Sequence, residues 1–180
     1  MMANKGQLYA TDADKRRLAP IHARLARAGV RNAQVLQPRK GEELAELAGK
    51  IDLVVIDAPC TGSGTWRRNP DAKWRVRPNS LADRVRDQAE VLAAGAGAVR
   101  PGGRLVYITC SILPDENDEA IEAFLASHPE FAASPPDIVA SEAGLPDLAG
   151  RTSAAGHGLQ LSPHRTGTDA FFIARLQRSG

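Results

Sequence analysis

Apolar residues recur at two periods along this chain, and the switching between them predicts its elements. Residues 7–11 read as a short strand ending at Asp12-Ala13-Asp14. Leu18, Ile21, Leu25 and Ala28 then fall three or four residues apart with Lys and Arg between them, which predicts an amphipathic helix closing at Gly29. Pro20 lies inside that pattern and has no N–H for the preceding turn, so it kinks the helix or delays its start. Residues 33–37 form a second short strand pattern, followed by a weak helix pattern over 42–48. Ile51–Asp57 is nearly unbroken Val, Ile and Leu, as expected of a parallel strand covered on both faces.

From Ser80, the residues Leu81, Val85, Ala89, Leu92, Ala96 and Val99 keep a helical spacing. Ser80 and Asp83 suggest a capping box, with Asp in place of Glu or Gln. Arg100-Pro101-Gly102-Gly103 stops this helix, and residues 104–109 form the next strand. An acidic helix over Asp118–Ser127 follows, with Ile121, Phe124 and Leu125 inward. The Pro-, Ala-, Ser- and Gly-rich residues 134–158 predict an irregular loop. Leu159–Leu161 and residues 170–176 then read as two antiparallel strands around a turn containing Gly. There is no internal repeat. Strand–helix alternation ending in a hairpin predicts a doubly wound α/β sheet with an antiparallel edge.

Composition narrows the class. With 43% hydrophobic and 24% charged residues in 180, the chain is globular rather than disordered. It can bury roughly 70% of its extended surface without needing a disulfide or a metal. No apolar run approaches the ~18 residues of a membrane span, and residues 1–6 carry no signal-type apolar stretch. The expectation is a cytoplasmic protein with no membrane partner. Two cysteines fifty positions apart and four scattered histidines lack zinc-site spacing, so no metal is expected.

The net charge of +2 conceals two opposed segments. Residues 66–86 hold seven basic residues (Arg67, Arg68, Lys73, Arg75, Arg77, Arg84, Arg86) against Asp71 and Asp83, whereas residues 115–142 hold eight acidic residues and no Lys or Arg. The basic segment is either a solvated face or a surface for nucleic acid.

Ligands of open α/β sheets collect beyond the carboxyl ends of the strands. Three such ends carry polar or reactive groups: Thr11-Asp12-Ala13-Asp14, Asp57 through Gly64, and Thr109-Cys110-Ser111. Both cysteines thus fall on one side of the expected sheet, as buried packing residues or as reactive thiols. A hydrolase-type thiol site needs a histidine partner, and none is identifiable near either Cys.

Asp57-Ala58-Pro59-Cys60-Thr61-Gly62-Ser63-Gly64-Thr65, followed by Arg67-Arg68-Asn69-Pro70-Asp71 and Trp74, resembles the fourth motif of the RNA (cytosine-5) methyltransferases of the Sun/RsmB type. Tyr107-Ile108-Thr109-Cys110-Ser111-Ile112-Leu113-Pro114 with Glu116-Asn117 resembles their sixth motif. Tyr9-Ala10-Thr11-Asp12 resembles the second motif. The tail, Leu161-Ser162-Pro163-His164 with Gly167-Thr168-Asp169-Ala170-Phe171-Phe172, is similar as well, with Ala170 where Gly is usual.

The resemblance implies a Rossmann-like class I methyltransferase sheet with an antiparallel C-terminal hairpin, and S-adenosylmethionine as cofactor. It implies methyl transfer to carbon 5 of a cytosine in RNA, with ribosomal RNA as the substrate class. Cys110 would be the nucleophile and Cys60 would assist product release, although sequence alone does not order the two. Asp57 would lie between cofactor and base, and Asp12 would bond a ribose hydroxyl pair. Arg67, Arg68, Lys73, Arg75 and Arg77 would hold RNA phosphates. Trp66 or Trp74 would either stack a base or anchor packing. His164 with Asp169 would fix the terminal hairpin rather than form an acid/base pair.

The family's Gly-rich first strand and turn precede the Tyr9-Ala10-Thr11-Asp12 segment, and residues 1–6 match the end of the helix after it. Arg39 stands near the position of the family's third-motif acidic residue. The expectation is therefore a C-terminal part of a catalytic domain over residues 1–180, lacking the first strand. Its neighbouring strands would expose edges through which the chain could self-associate. A catalytically silent RNA-binding or assembly module derived from the family is the alternative.

Overall fold

In the computed structural model, which describes residues 2–36 and 44–180, the two apolar periods resolve into strands and helices in two compact units, Met1–Ala45 and Glu46–Gly180. The first unit holds β1 (Leu8–Thr11), α1 (Lys15–Leu18), α2 (Ile21–Arg27) and β2 (Ala33–Leu36). β1 and β2 pair in parallel from Leu8↔Ala33 to Thr11↔Leu36. Pro20 divides the expected helix in two and stands at the N-cap of α2. Asp14 caps α1 by accepting from the Arg16 N–H at 2.9 Å. Gln37, Arg39 and the start of the helix expected at Glu42 lie outside the described residues. The remainder of that helix is a 3-10 turn, Ala45–Leu47.

The second unit is built on a mixed sheet of β3 (Ile51–Asp57), β4 (Val99–Thr109), β7 (Phe171–Arg178) and β5 (Phe131–Ala133) in that order, with β6 (Leu159–Leu161) also on β7. β3 and β4 are parallel, with Val54 opposite Leu105 and Asp57 opposite Ile108. β7 runs antiparallel to β4, β5 and β6. The helices of this unit are α3 (Ser80–Ala98), α4 (Asp118–Ser127), α5 (Pro136–Glu142) and α6 (Pro163–Thr166). Leu92, Val99, Leu105, Tyr107, Ile121, Phe172 and Leu176 form the centre of the core, each at most 1% exposed. α3 rides close to β3 because Gly95 has no side chain. A Cβ there would stand 2.7 Å from Ile56 Cδ1.

The α/β sheet with an antiparallel end forms as the pattern predicts, β3 and α4 keep their expected bounds, and α3 ends one residue early at Ala98, so that Val99, expected on the helix, begins β4. Other features differ. Among the described residues β3 is covered on one face only: Val54 and Ile56 pack on the core, while Leu53 and Val55 are 51% and 59% exposed. An unbroken apolar run records that a strand can be buried on both sides, not that it is. The capping box does not form either. Asn79 precedes the helix, and the Ser80 hydroxyl accepts from the Arg77 N–H at 2.9 Å instead of serving Asp83. β4 begins at Val99 directly after α3, with a register shift opposite the Ile51–Leu53 segment and Gly102 at φ +70°.

The loop expected over 134–158 contains α5 and a 3-10 turn, Pro146–Leu148. Pro136 at the first turn of α5 needs no N–H partner and presets its φ, and Ala140 buries the inner face. β5, three residues long, is too short for any period to show. Among the described residues β1 pairs only with β2, and β3 only with β4. No helix among them is long and apolar enough to cross a membrane.

Candidate active site between Cys60 and Cys110

Because β3 and β4 are adjacent and parallel, the residues leaving their carboxyl ends emerge side by side. Pairing continues one residue past β3, where the Ala58 N–H donates to the Ile108 carbonyl at 2.9 Å. Cys110 follows β4 directly, and Cys60 turns back towards it, bringing the two sulfurs to 3.3 Å. Both thiols are half-buried and unoxidised.

The loop after Cys60 is fastened to the loop after Cys110 at several points. The Gly64 N–H donates to the Cys110 carbonyl at 2.9 Å, and the Ala170 N–H donates to the Gly64 carbonyl at 3.0 Å. A Cβ at Gly64 would lie 2.4 Å from the Ala170 oxygen and 2.9 Å from the Cys110 oxygen, so the crossing requires glycine. The buried hydroxyls of Ser63 and Ser111 are 2.9 Å apart, and Ser63 Oγ also accepts from the Ile112 N–H at 3.0 Å. Behind Cys110, the Thr109 hydroxyl donates to Asn117 Oδ1 at 2.6 Å and Asn117 Nδ2 donates to the Ser111 carbonyl at 3.0 Å. The buried Glu116 carboxylate accepts from the Thr61 N–H and the Thr61 hydroxyl, both at 2.7 Å.

The two thiols titrate in opposite directions. The hydrogen bond from Cys60 lowers Cys110 to about 7, against the opposing effects of burial and of the charges on Asp57 and Glu116. The same bond, with burial behind it, pushes Cys60 far above the range of an ordinary thiol. The pair is therefore best written as a Cys110 thiolate accepting from a Cys60 thiol, which is the polarity a nucleophile needs.

Asp57 ends β3 with its side chain exposed. Asp12 follows β1 directly in the first unit, where its carboxylate accepts from the Asp14 N–H at 2.8 Å. Both are carboxylates at the carboxyl ends of parallel strands, suited to accept from ribose hydroxyl or amino groups. By donor chemistry each carboxylate, taken by itself, fits the polar edge of a nucleoside cofactor, and the glycines that follow β3, Gly62 and Gly64, belong to the Cys60 loop. Among the described residues no group of three or more His, Cys, Asp or Glu could hold a metal ion.

The basic segment takes two forms. Arg67 Nη2 bonds Asp169 Oδ1 at 3.1 Å and Arg68 Nε bonds Asp169 Oδ2, while the arginine side chains stay 56% and 58% exposed over a buried carboxylate. Asp169 is thus the partner of two arginines rather than of His164, and the hairpin turn is held by Ser162, whose hydroxyl accepts from the Arg165 N–H. Lys73, Arg75 and Arg77 are exposed in and just after the 3-10 segment Pro70–Arg75. Trp74 is 79% exposed with Lys73 Nζ 4.7 Å above its ring. Trp66 is half-buried with its Nε1 shielded from solvent, the position of a packing anchor.

Sequence reasoning missed Gln88. Its amide donates to the Pro59 carbonyl at 2.8 Å and to Glu116 Oε1 at 3.2 Å. The available signal was its place on the apolar face of α3, between Val85 and Leu92.

Comparison with known proteins adds a family to this geometry. The family model described as 16S rRNA methyltransferase RsmB/F matches residues 1–177. The chain is similar to the ribosomal RNA small subunit methyltransferase B of Klebsiella pneumoniae subsp. pneumoniae, at 38% identity over 177 residues. It is similar to the protein of the same name from Sodalis glossinidius, at 35% over 175 residues. These matches cover 97% of the chain but 37% of either relative, so the chain spans well under half their length. Among solved structures, that of PH0851 superposes with a TM-score of 0.84 at 35% identity, covering 98% of this chain and 38% of that one. A methyltransferase homolog protein from Pyrococcus horikoshii superposes at 0.72 with 29% identity, over 98% of this chain and 55% of the other. The sheet is accordingly of the Rossmann-like methyltransferase class.

Proposed function

Because the chain belongs to the 16S rRNA methyltransferase RsmB/F family, we propose that it is the C-terminal part of a catalytic domain that methylates carbon 5 of a cytosine in ribosomal RNA. The observation that carries this reading is the Cys60–Cys110 pair, two thiols 3.3 Å apart at the carboxyl ends of adjacent parallel strands with Cys110 lowered to about 7.

Carbon 5 of cytosine is a poor nucleophile within the aromatic ring. The Cys110 thiolate adds to carbon 6, and the electron pair displaced from the 5,6 double bond makes carbon 5 nucleophilic. S-adenosylmethionine, when bound, supplies the methyl group. Loss of the carbon 5 proton to a base then restores the double bond and expels Cys110 Sγ as thiolate. Cys60 lies beside that sulfur to assist release. Asp57 would accept from the cytosine amino edge or from the cofactor, and Asp12 from a ribose hydroxyl pair. Arg67, Arg68, Lys73, Arg75 and Arg77 would contact RNA phosphates, with Trp74 as the stacking ring.

RNA carrying 5-fluorocytidine tests the covalent step, since fluorine at carbon 5 cannot leave as a proton. In the presence of S-adenosylmethionine it should form a denaturation-resistant adduct on a gel, and Cys110→Ala should abolish it. An adduct that persists in Cys110→Ala overturns the assignment of the nucleophile. A second reading, a silent RNA-binding module, draws on the exposed basic residues Lys73, Arg75 and Arg77, and it predicts RNA binding with no calorimetric heat on titration of S-adenosylmethionine.

A further inference from the structure

The residues on either side of Cys60 are held by two side chains from other elements, both wholly buried. Glu116, in the 3-10 turn Pro114–Glu116 after β4, accepts from the Thr61 N–H through Oε1 and from the Thr61 hydroxyl through Oε2. Gln88, in the middle of α3, donates from Nε2 to the Pro59 carbonyl and to Glu116 Oε1. Both neighbours of that nitrogen are acceptors, so the amide has one workable orientation, since the reverse would set its oxygen against two others. Its own Oε1 is left with no donor among the described residues. The Tyr107 hydroxyl, donating to the Glu116 carbonyl at 2.8 Å, ties the turn to β4.

A buried carboxylate whose bonding partners are all neutral is a poor choice for stability, because it is desolvated with no cation to compensate. What the arrangement does supply is a fixed position. Pro59 and Thr61 are clamped to α3 and to the end of β4, and Cys60 between them has little room to move away from Cys110.

We propose that Glu116, steadied by Gln88, is a positioning residue that sets the distance between the Cys60 and Cys110 sulfurs. Its importance for catalysis rests on the function proposed above, whereas the distance it sets is tested by thiol chemistry alone. Two readouts on the 180-residue chain serve: the pH dependence of Cys110 alkylation by iodoacetamide, followed by mass mapping, and the rate at which diamide oxidises the pair. In that oxidation one Sγ–Sγ bond forms and the two thiol hydrogens pass to the diazene, giving the hydrazine.

Glu116→Ala should raise the alkylation midpoint by about one unit or more towards an ordinary thiol. It should also slow disulfide formation about ten-fold, as the effective concentration of one thiol at the other falls. Glu116→Gln preserves shape, and the Thr61 hydroxyl can turn to accept from the new amide, so the oxidation rate should stay within about two-fold of the parent and the alkylation midpoint should not rise, the lost charge having opposed the Cys110 thiolate. Thr61→Val, which keeps the amide bond and loses only the hydroxyl, should slow oxidation to an intermediate degree even if Glu116→Ala fails to fold. Parental behaviour in a folded Glu116→Ala, or in Thr61→Val, overturns the proposal. So does a Glu116→Gln variant as impaired as Glu116→Ala, since charge rather than position would then be what the residue provides. Neither readout involves RNA or methyl transfer, so a failed adduct experiment would leave this result standing, and the reverse.

Discussion

A thiol 3.3 Å from Cys110 Sγ can hold that sulfur as a thiolate, and the difference is large at neutral pH. With Cys110 at about 7, half of it is ionised at pH 7. An unperturbed thiol near 8.5 would be only about 3% ionised there. Cys60→Ala removes the donor and leaves burial and the charges of Asp57 and Glu116, which act the other way. The expected outcome is an alkylation midpoint for Cys110 above about 8 and a fall in its reactivity at pH 7 of about five-fold or more. The sign follows from the shift: a lowered pKa favours the anion, so reactivity in the parent rises as pH climbs through about 7 and in the variant only later. An unchanged midpoint would mean that Cys60 does not donate to Cys110. At this scale the sequence was informative about identity and silent about contact. The two strand-end cysteines and Asp57 were legible from their motifs. The pairing of Asp169 with Arg67 and Arg68 was not, because 102 and 101 residues separate the partners and no period relates them.

Among the elements, β7 has the widest reach, since it pairs with β4, β5 and β6. Phe172 faces Thr109 of β4 and Gln160 of β6 in register and is wholly buried, with its ring edge-on to Tyr107 at 6.3 Å between centroids. Phe172→Ala would open a cavity between strands that cannot close independently. Urea denaturation should show a loss of about 3–5 kcal/mol, and a loss under about 1 kcal/mol would mean that the sheet repacks around the gap. The elements that were legible are those long enough to display a period: β3, α3 and α4. Those that were not are short or depend on a partner. β5 has three residues and exists through β7, and α5 was hidden by a composition typical of loops. Ser80 and Asp83 had the spacing of a cap, yet the Ser80 hydroxyl bonds Arg77 because the chain before α3 folds back within its reach.

In the second unit an exposed basic segment follows the Cys60 loop, and an acidic segment follows the Cys110 loop. Lys73, Arg75 and Arg77 are exposed. Arg67 and Arg68 would have to give up Asp169 on meeting a phosphate, whereas these three form no ion pair with a carboxylate among the described residues. Replacing all three by alanine should weaken RNA binding at low salt. It should also reduce the slope of log affinity against log salt by about 2, since each single-strand phosphate that is no longer neutralised accounts for about 0.7. A gel-shift series over salt concentration measures this, and an unchanged slope would leave the segment as a solvated face.

The chain by itself determined the class of the sheet, the bounds of β3 and α4 and the motifs that single out candidate residues, because period and motif are local properties of a sequence. Only the tertiary structure decided that the two sulfurs touch, that one thiol lowers the other, and that Glu116 and Gln88 hold the first cysteine from both sides. It also decided that β3 has a single partner among the described residues and exposes Leu53 and Val55 on one face. Each of these depends on which distant residues share a volume, and hydrogen bonding and burial depend on that distance in space rather than on separation along the chain.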